Sequence, residues 1–324
     1  MMFSKRRIGF GFIIFGAVLL LLYQIFQPQI IQILEIYISA DGQITPSGVR
    51  QLNSIFYISV ALLMILGFGL FKAEDEEWQS RLKQVFLSDP FCPAPKTWLS
   101  PKIILLASTL IGLFLIIHIR LYDPESQLFA FLYLEDGVFE SLTPILMVVS
   151  IVLLALSIPL LRKDTQLSKY RNLLTLVYLF LILIFFLNAM EEISWGQRVF
   201  GWETPQTFEG NIQDETNLHN YFNQYYLLFY RLLVLFPIVI FISIWLEMSQ
   251  RFVLFNQTVL PHPSMIGFSL LIALVSFVWY QEQELLEELF AVFFLFYSLR
   301  IYNCFRIRGK AAKADAGKTG FESV

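Results

Sequence analysis

Two short segments hold the residues of this 324-residue chain whose types and spacing could do chemistry. The first is Asn188-Ala-Met-Glu191-Glu192-Ile-Ser194-Trp195-Gly-Gln197-Arg198. Paired carboxylates can act as general acid and base or as metal ligands. On a helix that continued through the segment, Asn188, Glu191, Glu192 and Trp195 would share one face, and Ser194 and Arg198 would lie one turn apart. The second is Asn211-Ile-Gln213-Asp214-Glu215-Thr216-Asn217-Leu218-His219-Asn220. Here Glu215 and His219 are four residues apart, a spacing that on a helix turns both toward one metal ion or lets the carboxylate orient the imidazole. Glu215 and His219 are therefore the candidate ligands, and a divalent metal the candidate cofactor. A solvated loop or a helix cap is the commoner origin of such a pair.

Two further acidic groups have a simpler explanation. In Glu135-Asp136-Gly137-Val138-Phe139-Glu140, Asp136 reads as an N-cap, and Glu140 falls in the first turns of the following helix, where the macrodipole favours acids. Glu282, Glu284, Glu287 and Glu288 stand at the start of the last apolar run and read as helix-start electrostatics, with Glu284 and Glu288 on one face. Glu191 and Glu192 differ, because they fall at the C-terminal end of an apolar run, where the dipole disfavours them. Arg231 lies about two turns into another apolar run and needs a carboxylate partner. The candidates at its depth are Glu191, Glu192 and Glu140, and His118 reaches the same level.

The elements that must carry these residues are long and apolar. Hydrophobic residues make up 56% of the chain and charged ones 15%, against about 25% charged in soluble domains. The apolar residues fall in blocks of about 20, the length a helix needs to cross a bilayer core. Eight runs are expected to span: 8–26, 52–71, 103–119, 138–161, 172–190, 225–245, 265–280 and 285–302. The first ends Gln24-Ile25-Phe26-Gln27-Pro28, without a small-residue cleavage site, and reads as a retained span. With Lys5, Arg6 and Arg7 inside, alternation places eighteen of the 23 basic residues on the cytoplasmic side. Seventeen of the 26 acids fall on the other side, so the chemically interesting segments face out. Losing one span would put later basic clusters on the wrong side.

The expected fold is thus all-α: a polytopic membrane helix bundle of about eight spans over residues 1–308, both termini cytoplasmic, with a disordered cytoplasmic tail over 309–324. Residues 74–86 carry Trp78 and Leu82 at helical spacing and read as an inner interfacial helix. Cys92 and Cys304 both fall inside, so no disulfide is expected. The location implied is the plasma (inner) membrane, with membrane lipid as partner and no nucleic acid.

The segments from Glu191 to Pro205 and from Gln213 to Asn220, with Glu135-Asp136-Gly137, resemble a pattern found in multi-pass bacterial membrane proteins of uncharacterised function. The resemblance covers roughly residues 130–225 and implies the fold but no activity. Alkaline ceramidase-like membrane hydrolases gather several histidines, a Ser and an Asp around zinc. This chain has three histidines, one of them (His262) on the inner side, and departs from that pattern.

Three function classes follow. The first is an enzyme at the outer leaflet, acting on a lipid or lipid-linked substrate. Glu191, Glu192 and His219 would be its catalytic groups, and Arg231, Ser194, Trp195, Gln197, Arg198 and Asp136 its substrate contacts. A transporter or ion-coupled carrier would need polar residues deep in several spans, and few are present. A scaffold or assembly subunit would use the outer segments to bind a partner.

Overall fold

The structure, a computed structural model, describes residues 5–37, 46–72, 75–92, 100–121, 138–206, 216, 230, 232–249, 252–278 and 283–319. All regular elements among them are helical. They are α1 (Lys5–Tyr37), α2 (Pro46–Lys72), α3 (Glu76–Leu87), α4 (Pro101–Leu121), α5 (Val138–Lys163), α6 (Arg171–Glu192), α7 (Gln197–Phe200), α8 (Pro237–Ser249), α9 (Val253–Val259), α10 (Ile266–Val278) and α11 (Gln283–Thr319). Short 3-10 turns occur at Ser168–Tyr170, Ser194–Gly196, Leu233–Leu235 and Pro263–Met265.

Three helical stretches are long and apolar enough to cross a membrane: Lys5–Tyr23, Ser141–Lys163 and Ser168–Glu192. Shorter apolar helices cover Ser59–Lys72, Pro101–Gly112, Leu233–Ser249 and Pro263–Ser276. The faces of α6 show why such a helix suits lipid. Leu174, Tyr178 and Phe185 are buried against neighbours, while Leu173, Leu176, Phe180, Leu183 and Leu187 form an exposed apolar stripe. In water so continuous a stripe would be a liability, whereas in hydrocarbon it needs no cover.

The chain divides into two compact units, Met1–Lys83 and Gln84–Val324. In the first, α1 packs along α2. Their backbones meet at Gly9 and Gly67, where a Cβ on either would collide with the opposite main chain. Farther along, Tyr23 stacks on Phe56 with centroids 3.8 Å apart. Tyr23 Oη and Gln27 Nε2 both donate to Asn53 Oδ1, at 2.6 and 2.8 Å.

In the second unit α5 packs against both α6 and α11, and α10 against α4, α8 and α11. The core runs through Leu154, Leu161, Tyr178, Phe185, Phe268, Leu286 and Ile301. Small residues set the approach of α4 to α10, with Gly112 under Leu271 and Gly267 under Ser108. α11 continues as helix to Thr319, through the Gly309–Thr319 stretch expected to be a disordered tail; its Ala and Lys residues are good helix formers.

Candidate functional site

The candidate site is built from the end of α6. The helix stops at Glu192 and does not run on, which corrects the expectation of one continuous face through Trp195 and Arg198. Beyond Ile193 the chain takes three successive left-handed residues, Ser194, Trp195 and Gly196, with φ of 47°, 54° and 94°. Glycine tolerates this, but Ser and Trp do not, at a cost of about 1–3 kcal/mol each. Trp195 is held there by its indole, whose Nε1 donates to Glu191 Oε1 at 2.7 Å. A Cβ at Gly196 would come within 2.9 Å of the Trp202 ring, so position 196 is closed to larger residues by space as well as by φ.

The short α7 follows, and its first residue makes two hydrogen bonds beyond the helix. Gln197 Nε2 donates to Thr204 Oγ1 at 2.8 Å, and its Oε1 accepts the Thr216 backbone N–H at 2.7 Å. Gln197 thus acts as a clamp between Thr204 and Thr216, the one described residue of the second segment. Ser194 is fully buried in the turn.

A cavity of about 220 Å³ opens beside this turn. Its α6 wall carries Asn188, Glu191 and Glu192, and α5 adds Thr143 and Met147. Tyr230 and Leu233 close another side, and α11 supplies Leu286, Glu287, Phe290 and Phe294. Carboxylates thus stand beside an apolar floor of Met, Leu and Phe. The Tyr230 hydroxyl donates to Glu287 Oε1. The adjacent Glu288, 4% exposed, accepts from Thr143 Oγ1 at 3.0 Å. Ser276 Oγ donates to the Tyr230 carbonyl, fixing the backbone behind that phenol.

The sequence reading missed Thr143, Tyr230 and Glu287 as parts of this site. For Glu287 and Glu288 a signal was present, since they form the second acidic cluster at the same depth, but their position at a helix start offered an ordinary explanation. Asp136, Glu215, His219 and Arg231 lie outside the described residues. Arg198 sits in α7, with its side chain likewise outside the description. Among the described residues no three His, Cys, Asp or Glu side chains are placed to hold a metal ion.

A second polar cluster, which the sequence reading did not single out, lies among 88–92, the 257–264 turn and α11. Arg300 donates from Nε to Asp89 Oδ2 at 2.6 Å and from Nη2 to Asp89 Oδ1 at 3.1 Å, and Nη1 reaches the Gln257 carbonyl at 3.0 Å. Both side chains are almost fully buried, at 3% and 6% exposure. Burial pushes the Asp89 carboxyl up, but the Arg300 charge and its hydrogen bonds outweigh this and hold it below the usual carboxylate range. His262 Nε2 lies 3.0 Å from the Ser88 carbonyl, and Nδ1 accepts the Ser264 backbone N–H at 3.1 Å, capping the 3-10 turn. That pattern requires the neutral tautomer protonated at Nε2. Burial first, then the nearby Arg300 charge, push His262 down to about 4. Tyr178 and Tyr297 complete the cluster by donating to the carbonyls of Thr258 and Val259. The polar groups named here bond to one another, so this cluster ties the helices together.

No protein-family model, curated protein or solved structure matches the chain.

Proposed function

We propose that the chain is an eight-span plasma (inner) membrane protein with both termini cytoplasmic, and that its outer cavity takes a lipid or lipid-linked substrate for carboxylate acid–base chemistry. One observation carries this reading. The cavity sets Glu191, Glu192 and Glu287 against Met147, Leu286, Phe290 and Phe294, an arrangement that matches a polar head joined to a hydrocarbon body. The exposed apolar stripe of α6 would put lipid next to it.

In this reading Glu191 and Glu192 are the general base and acid. The Trp195 indole keeps Glu191 fixed on the cavity side. Gln197 holds the 216 segment close, which would bring His219 to the site as proton carrier or metal ligand with Glu215. Arg231, Asp136 and Arg198 are the remaining contacts, with Arg231 the anchor for an anionic group, while Ser194, buried in the turn, supports the site from behind. Orientation rests on the basic residues counted above.

Native mass spectrometry of protein released from nanodiscs tests the binding step. The parent should retain a lipid that Glu192→Gln and the cavity-filling Leu233→Trp both lose. Equal retention by all three sinks the proposal. A cysteine placed at Glu203, labelled in intact cells by an impermeant maleimide, tests the orientation, and labelling only after lysis reverses it.

A further inference from the structure

The segment 89–92 lies along one face of α11, and its contacts rise turn by turn. Asp89 meets Arg300. Phe91 meets Phe305 edge-on at 5.3 Å and lies under the Arg308 guanidinium at 4.9 Å. Between these fixed points Cys92 and Cys304 stand beside each other, each next in sequence to a member of the Phe91–Phe305 pair, and Cys92 packs against the core that holds Cys304. Both cysteines are free, Cys304 fully buried in the core and Cys92 half-buried. The backbone at Cys92 is pinned as well, its N–H donating to the Asp89 carbonyl at 3.0 Å.

We infer that Cys92 and Cys304 form a peroxide-sensitive dithiol: reduced as the structure has them, and converted to an intramolecular disulfide by a hydroperoxide oxidant. The half-buried sulfur is the one an oxidant reaches. The neighbouring Cys304 thiol, whose effect outweighs burial and the Asp89 charge, and the Arg300 and Arg308 charges hold the Cys92 thiol below its ordinary value, favouring the nucleophilic thiolate. In the first step Cys92 thiolate attacks hydrogen peroxide, the O–O bond breaks, and Cys92 sulfenic acid and hydroxide form. In the second, Cys304 sulfur attacks the Cys92 sulfur, the S–O bond breaks, and the disulfide forms as water leaves with the Cys304 proton. Two thiols are oxidised and one peroxide is reduced to water. The bond would tie the 89–92 segment covalently to α11, 212 residues along the chain (92 to 304), where the Asp89–Arg300 pair already holds it. This inference does not depend on the outer cavity or on what binds there.

The test uses the full-length protein in detergent, treated with a few equivalents of hydrogen peroxide and digested without reductant. The expected result is loss of both free thiols and one cross-linked peptide pair joining Cys92 to Cys304, reversed by dithiothreitol. In Cys304→Ala the expected product is a Cys92 sulfenic acid trapped by dimedone. Two reactive free thiols after treatment, or sulfinic acid on Cys92 with Cys304 still free in the parent protein, would overturn the inference.

Discussion

Gln197 accepts the backbone N–H of Thr216 at 2.7 Å while donating to Thr204 at 2.8 Å, so a single amide joins the strained turn after α6 to the segment carrying Glu215 and His219. An amide is the side chain that can do both, since it offers a donor and an acceptor on one rigid group. Gln197→Ala leaves the Thr216 N–H without this acceptor, at about 1–3 kcal/mol. Gln197→Glu keeps the acceptor and loses the donor. Thermal unfolding should rank the three proteins parent, Gln197→Glu, Gln197→Ala in falling stability. Equal midpoints for the parent and Gln197→Ala would show that the clamp holds nothing.

His262 makes acid stability a readout of the Asp89–Arg300 cluster. Its folded pKa of about 4 lies below the ordinary 6.5, so the neutral form is the one that fits the fold. Above pH 6.5 its contribution is complete, and it is lost as pH falls toward 4, by about 3 kcal/mol over the whole window. Asp89, held below its ordinary carboxylate value, stays ionised across that window and contributes its own loss only below pH 3.8. His262→Asn can still cap Ser264 through its amide oxygen but has no proton to take up. Chemical denaturation at pH 7, 5.5 and 4.5 should therefore show the parent losing stability more steeply than the variant. Parallel slopes would remove His262 from the account.

The cavity predicts that charge and volume act on separate parts of the site. Glu287 receives the Tyr230 hydroxyl, and Glu191 the Trp195 indole, so Tyr230→Phe and Trp195→Phe each remove one hydrogen bond from a carboxylate without changing cavity shape greatly. Trp195→Phe should be the more destabilising, because it also removes the bond that holds a left-handed tryptophan in place. Metal analysis of the purified parent, beside Glu192→Gln and His219→Ala, checks the proposed divalent-metal reading of the cavity site. Stoichiometric metal lost in His219→Ala is the expected outcome, and a metal-free parent protein would leave the acids to work alone.

What could be read from the chain and what could not follow from the range of the forces involved. The apolar runs are local signals, and the described residues within them are mostly helical, with three stretches long and apolar enough to cross a membrane. Glu191 and Glu192 stood out because a local rule, the sign of the helix dipole, made them costly where they are, and both line the cavity. The turn at Ser194–Gly196 carries one local clue, the glycine. Nothing nearby in sequence says that a Ser and a Trp will share its left-handed geometry, because that is settled by the Glu191 bond and by the Trp202 ring. Tyr230, Glu287 and Thr143 converge only through the packing of α5, α6 and α11. Arg300 was visible as a charge inside an apolar run, but its partner Asp89 is 211 residues away in a proline-flanked turn that reads as an ordinary loop.

The Asp89–Arg300 pair allows the sharpest separation of a charge from its partner. A buried ion pair adds little net stability, because desolvation cancels much of the attraction, yet removing one member leaves the other charged and buried, at about 3–5 kcal/mol. Arg300→Met should lose stability on that scale, since Asp89 then keeps only backbone donors, and it also frees the Gln257 carbonyl from the Arg300 Nη1 bond. Asp89→Leu should be similarly damaging, because the guanidinium retains only the Gln257 carbonyl. The double variant removes both charges and should recover much of the loss. A double-mutant cycle by denaturant unfolding measures this: a coupling energy well above the additive error of about 0.5 kcal/mol establishes that the two side chains act as one unit. Additive losses would mean that each is held by its other contacts, and that the 89–92 segment is anchored to α11 by Phe91 and its aromatic partner alone.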